Sequence, residues 1–183
     1  RFENHQNLVW CIAEEYGEKL SAKRVSRIAA TIRAADDKGH PIAVHKNHGL
    51  DFSEFADDAN FDQFAIQYNV SDIDELHAGV VQAWKDARGR YSVNMSECAD
   101  HGTGKELRLR NWACAMGGAH VMVLGMDVAA TPQSDLEGCK RLVDFFESAD
   151  WARMAPGDEL AGAETKYVLA KPGECYIAYS PDC

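Results

Sequence analysis

The chain has 183 residues, 46% hydrophobic and 26% charged, a globular rather than a disordered composition with enough material for a sizeable core. Its net charge of −10, with Lys and Arg scattered, would repel phosphate backbones and argues against a nucleic-acid partner. No apolar run approaches the roughly 18 residues of a membrane helix, so no membrane partner is expected.

The first element is the apolar run Leu8–Ala13, which reads as a buried strand. From about Ser21 to Asp36 the residues Val25, Ile28, Ala29 and Ile32 recur at i, i+3, i+4 and i+7, predicting a helix with one apolar face. Gly39-His40-Pro41 breaks it, and Pro41–His45 makes a second strand. A short helix over 51–57 and a strand over Phe64–Gln67 follow. Ser71 is placed to cap a helix reaching Ala87, with Ile73, Leu76, Val80 and Trp84 on one face. After Gly89 come a strand over Tyr91–Met95, a helix over 104–116, the pair Gly117-Gly118 and a strand over His120–Gly125. A last helix begins near Ser134 and turns Leu136, Leu142, Val143 and Phe146 inward.

Five strands alternating with helices describe a parallel α/β architecture. After Pro156 the pattern changes. Tyr167–Ala170 and Cys175–Tyr179, separated by Lys171-Pro172-Gly173-Glu174, read as a β-hairpin opening an all-β domain. The organisation expected is therefore an α/β unit over 1–156 and the beginning of a β-domain over 157–183. The chain opens without Met and breaks off soon after the last strand pattern, as expected of a fragment of a longer protein.

Two strands run into glutamates. Trp10-Cys11-Ile12-Ala13 leads into Glu14-Glu15, and Ser92–Ser96 leads into Glu97. In an α/β barrel the strand C-termini share one face, so carboxylates distant in sequence converge there. Cleavage of a glycosidic bond needs such a pair, one protonated and one ionised. The bland alternative is that each glutamate caps a helix or pairs with a lysine. Adjacent carboxylates such as Glu14 and Glu15 also disfavour double ionisation.

Other residues near strand ends could contact a sugar. His45 and His48 follow the second strand, Gln67 ends the third, and Asp127 follows the fifth. Tyr16 and Tyr68 lie just past strand ends, where a ring could carry the C–H face of a pyranose. Each has a structural alternative, for Gln67 the anchoring of a loop. Trp10, Trp84 and Trp112 fall at packing positions, and Trp151 at the junction of the two parts. His45, His48, His101 and His120 show no H-E-x-x-H or comparable spacing, so no metal and no cofactor is expected. The six cysteines, Cys11, Cys98, Cys114, Cys139, Cys175 and Cys183, form no C-x-x-C pair, and most sit in apolar runs as buried small hydrophobes. Cys98, directly after Glu97, has no oriented histidine in view and reads as a buried thiol.

The stretch Arg1–Glu15 resembles an "RFgxhxxLxWxlgEEn" motif of bacterial glycoside-hydrolase-like proteins that carry a C-terminal domain named for collagen binding. The resemblance continues through Ile32–Asp36, His40–His45, Gln67, Ser96-Glu97, Gly117-Gly118, Phe145-Phe146, Trp151 and the two hairpin strands. It implies the C-terminal half of a TIM (β/α)8 barrel, strands four to eight, followed by the start of an all-β domain. A complete barrel needs about 250 residues. It implies a retaining hydrolase of an oligosaccharide or polysaccharide, with Glu15 as acid/base and Glu97 as nucleophile. Glu14 takes the place of the family's Asn, so which of the two glutamates delivers the proton stays open. Bacterial relatives suggest export, to the periplasm or beyond. The alternative reading is a non-catalytic carbohydrate-binding or adhesion protein on a barrel scaffold. Half a barrel would leave two open sheet edges, so the chain alone is expected to be inactive and to self-associate.

Overall fold

The structure is a computed structural model that describes residues 2, 4–98, 102–121, 123–125 and 127–180. Five strands form one parallel sheet in sequential order: β1 (Trp10–Ile12), β2 (Ile42–His45), β3 (Gln63–Gln67), β4 (Ser92–Glu97) and β5 (His120–Val121). The helices are α1 (Ala22–Ala35), α2 (Ile73–Ala87), α3 (Lys105–Met116) and α4 (Gln133–Ser148). Every expected strand of the parallel sheet is present. The helix expected over 51–57 is only a 3-10 turn at Ser53–Phe55, so the β2–β3 crossover is irregular. Strand β5 is described over His120–Val121, and Val123–Gly125 are not strand. Beyond it the Asn111 amide donates to the Val123 carbonyl and accepts its N–H, at 3.0 and 2.8 Å, taking the place of a neighbouring strand.

Side chains alternate across the sheet. Ile12, Ile42, Val44, Phe64, Ile66, Val93 and Met95 face one way, into a core with Val25 and Ala29 of α1, Leu76, Val80 and Ala83 of α2, and Cys114 of α3. The other face carries small and polar residues, Cys11, Ala43, His45, Gln63, Ala65 and Asn94. The β3–β4 register shifts between Ile66 and Gln67. Ile66 pairs with Met95, but Gln67 pairs with Glu97 rather than Ser96. This one-residue bulge moves Glu97 onto the face of Gln67 and His45, away from the helices.

At the opposite, N-terminal edge of the strands, the residues of the Ile32–His45 stretch knit α1 to the sheet. The Asp36 carboxylate accepts the His40 backbone N–H at 2.8 Å and the Trp10 indole N–H at 3.2 Å, and lies 2.9 Å from His40 Nδ1. Arg33 donates to the carbonyls of His40 and Asn60 and pairs with Asp62, whose carboxylate accepts the Ile42 N–H. These residues are structural.

A second sheet is antiparallel: β6 (Ala155–Pro156), β7 (Tyr167–Lys171) and β8 (Cys175–Tyr179), in that order. The expected hairpin is β7–β8, paired from Tyr167↔Tyr179 to Lys171↔Cys175. The short β6 adds a third strand from before the expected boundary. Tyr167, Leu169 and Ile177 share a core with Ala113, Ala115 and Met116 of α3 and Leu142 and Phe146 of α4. Two side-chain links lock this sheet to the first. His77 of α2 stacks on Tyr167 at 3.8 Å, with its Nε2 2.8 Å from Asp158 and its Nδ1 2.8 Å from the Ala113 carbonyl. The Tyr167 hydroxyl donates to Asp74 at 2.6 Å.

Three details differ from expectation. Helix α2 is capped by Asp72, whose carboxylate accepts the Glu75 N–H at 2.8 Å, not by Ser71. Helix α4 buries Asp135, Cys139, Leu142 and Phe146, leaving Leu136 and Val143 exposed. Its face is rotated because the Asp135 carboxylate turns inward to accept the Gly104 N–H at 3.0 Å. Cys98, Cys114 and Cys139 are buried, but Cys11 is exposed on the small-residue face; Cys183 and His101 lie outside the described residues.

Candidate functional site

At the C-terminal end of β1 the backbone turns sharply. Ala13 and Glu15 both adopt left-handed conformations, with φ of 63° and 43°. His48, beyond β2, does the same at 43°. Among the described residues four non-glycine positions have positive φ, and three of them flank this end of the sheet. Such conformations cost about 1–2 kcal/mol each and concentrate where surrounding structure enforces them, commonly at functional sites.

The turn delivers Glu14 to His45. The β1–β2 register pairs Ile12 with Val44, so the residues that follow bring the two strand ends level. Glu14 Oε1 lies 2.8 Å from His45 Nδ1. His45 is 2% exposed, whereas the Glu14 side chain is 77% exposed. Glu97 arrives from β4 by way of the bulge. One polar atom each of Glu14, His45 and Glu97 lies within 4.8 Å of the others. Glu14 also acts on Cys11, whose thiol is pushed up by desolvation and then by the Glu14 charge.

These atoms are the set among the described residues that could hold a divalent cation. A ligating imidazole, however, carries its proton on the far nitrogen and normally donates it to a partner. His45 Nε2 is buried and has no hydrogen-bond partner. With Nδ1–H donating to Glu14, Nε2 holds only a lone pair, which is cheaper to bury than an unpaired N–H. The arrangement therefore favours a hydrogen-bonded carboxylate over a metal ligand.

Glu15, expected as the acid/base, is not part of this group. It is half-buried and precedes the 3-10 turn Tyr16–Glu18, its carbonyl accepting the Glu18 N–H at 3.0 Å. Gln67 is buried at the end of β3 and anchors the loop after β2. Its Oε1 accepts the His48 N–H at 2.9 Å and its carbonyl the Gly49 N–H at 2.8 Å. Tyr16 does not offer a platform to a sugar. It is buried, its ring edge-on to Phe55 at 5.3 Å and its hydroxyl bonded to Glu54. Desolvation first, and then that hydrogen bond, push its hydroxyl well above the ordinary tyrosine range. Tyr68 is half-buried, with its N–H on the Glu97 carbonyl at 3.1 Å and its ring between the exposed His48, 6.4 Å away, and Gly79 of α2. Asp127 accepts the Ala130 N–H at 3.2 Å and caps its own 3-10 turn.

Cys98 is buried, 3.7 Å from a guanidinium nitrogen of Arg110. The grouping of Glu14 with His45 is the feature that sequence reasoning missed; the level strand ends were its only signal. No protein-family model, curated protein or solved structure matches this chain.

Proposed function

We propose that the chain carries the two-carboxylate centre of a retaining glycoside hydrolase, with Glu97 as nucleophile and Glu14 as proton donor and acceptor. The observation that carries this reading is the convergence of one carboxylate oxygen each of Glu14 and Glu97 to within 4.8 Å at one end of a parallel sheet. Retaining enzymes hold their carboxyl groups about 5–5.5 Å apart, and inverting ones roughly 6.5–9.5 Å, to admit a water. The nucleophile would attack the anomeric carbon while Glu14 protonates the leaving oxygen. Water, deprotonated by the same Glu14, would then release the sugar.

The half-barrel reading has support of the same kind. Sequential strand order, with α1, α2 and α3 meeting one face of the sheet in one core, is how a barrel wall is built; a doubly wound sheet reverses its order and covers both faces. The other face carries small and polar side chains, suited to the crowded inside of such a wall.

Treatment of the intact protein, with the rest of the barrel that this reading requires, with a panel of 2-deoxy-2-fluoroglycosyl fluorides, followed by peptide mass mapping, tests the roles. The expected adduct lies on Glu97. Glu97→Gln and Glu14→Gln should each lower kcat about 10²–10⁴-fold on aryl glycosides, and Glu15→Gln should retain most activity. An adduct on another carboxylate, or hydrolysis unaffected by both Glu14→Gln and Glu97→Gln, defeats the assignment. Sugar binding without turnover would make the protein a carbohydrate-binding scaffold.

A further inference from the structure

We propose that His45 is a positioning residue for Glu14, fixing which glutamate of the Glu14-Glu15 pair works with Glu97, rather than a ligand for a sugar hydroxyl. Its catalytic consequence rests on the glycosidase reading; the placement of its proton does not.

Glu14 lies on a turn whose neighbours on both sides, Ala13 and Glu15, are left-handed, and its side chain is 77% exposed. A carboxylate so placed has several rotamers open to it, and holding one costs side-chain entropy. The compensating contact is a single hydrogen bond from a ring that cannot move. His45 is 2% exposed at the end of β2, paired with β3 through His45↔Ala65. Its Nδ1 lies 2.8 Å from Glu14 Oε1, within ordinary hydrogen-bond length.

The far side of the ring fixes the tautomer. Nε2 is buried without a partner, so a proton there would be an unsatisfied buried donor. The proton belongs on Nδ1, and the Nδ1–H points at Glu14. Neither nitrogen is then open to substrate, one being engaged and the other buried. With one oxygen of Glu14 held by the ring, the carboxylate stays beside Glu97. Glu15, one residue further along the turn, has no such partner in the group.

Nitrogen-15 NMR of the wild-type protein, with the His45 signals assigned, reads the tautomer without any substitution. A protonated Nδ1 and a bare Nε2 are expected; a proton on Nε2 overturns the placement. Kinetics read the consequence. His45→Ala should lower kcat about 10–100-fold, with KM changed less than about two-fold, because misplacement of a reacting group by about 1 Å costs on that order. His45→Asn, whose amide N–H can take the place of Nδ1–H, should recover most of the loss. A rise in KM alone would mark a sugar ligand and refute the proposal, as would folded His45→Asn no better than His45→Ala. If the intact wild-type protein turns over no glycoside, the glycosidase reading fails on its own, and the NMR result still decides where the His45 proton lies.

Discussion

Gly118 sits between α3 and β5 with φ of +90°, and the indole of Trp84 lies against its α-carbon. A Cβ added there would lie 2.5 Å from Trp84 Cδ1 and 3.0 Å from Cγ and Nε1. Gly118→Ala should therefore suffer twice. The left-handed backbone costs an alanine about 1–2 kcal/mol. Forcing a methyl into a rigid ring adds about 1–3 kcal/mol of overpacking. The sum of about 2–5 kcal/mol corresponds to roughly 4–20 °C in Tm for a chain of this size. Gly39 supplies the control, because its φ is +68° and nothing lies within 4 Å of the Cβ position. Gly39→Ala should cost the backbone strain alone, and the stiffening of the unfolded chain is common to both variants and cancels in the comparison. Urea unfolding followed by tryptophan fluorescence gives both values. If Gly118→Ala costs no more than Gly39→Ala, the close approach of Trp84 is not a feature of the folded protein.

Two further outcomes follow from buried polar links. Burial alone would raise the Asp36 carboxyl. Hydrogen bonds from the His40 ring, the His40 and Lys38 backbones and the Trp10 indole outweigh it and hold the group at about 2, against 3.8 ordinarily. A depressed carboxyl stabilises the fold above its unfolded value and loses that contribution as pH falls through its folded value. The stability gap between wild type and Asp36→Asn should thus be full above about pH 4 and close toward pH 2, as chemical denaturation at a series of pH values would show; a constant gap refutes it. At the junction of the sheets, His77→Phe keeps a ring against Tyr167 but removes the hydrogen bonds to Asp158 and the Ala113 carbonyl. It should cost about 2–4 kcal/mol in denaturant unfolding, and an unchanged midpoint would show that these bonds contribute nothing.

The parallel strands were legible because their apolar runs are short and sharply bounded and, between β1 and β2 and between β3 and β4, separated by capped amphipathic helices. Legibility failed where a polar group or a backbone kink overrode the hydrophobic pattern. Asp135 reads as a solvent-facing residue, yet its bond to the Gly104 N–H rotates α4 and exposes Leu136 and Val143. Tyr16 reads as a strand-end aromatic open to ligand, but it follows the left-handed Glu15 and is turned into the core beside Phe55. The same turn puts Glu14 rather than Glu15 with His45 and Glu97, a choice that two adjacent identical residues cannot reveal in sequence. The two-residue β6 was invisible because Pro156 can give no ladder N–H, and its pairing is decided by β7.

The register shift between Ile66 and Gln67 has a consequence for how such a centre could arise or be lost. In an unbroken ladder Ser96 would stand opposite Gln67, and Glu97 would point into the hydrocarbon beneath the helices. Loss of the single codon for Ser96 would remove the extra residue and set Glu97 itself opposite Gln67, so the carboxylate would keep its face without the bulge. The face of Glu97 thus depends on the extra residue being bulged out or absent, and is lost only when Ser96 is drawn into a regular ladder.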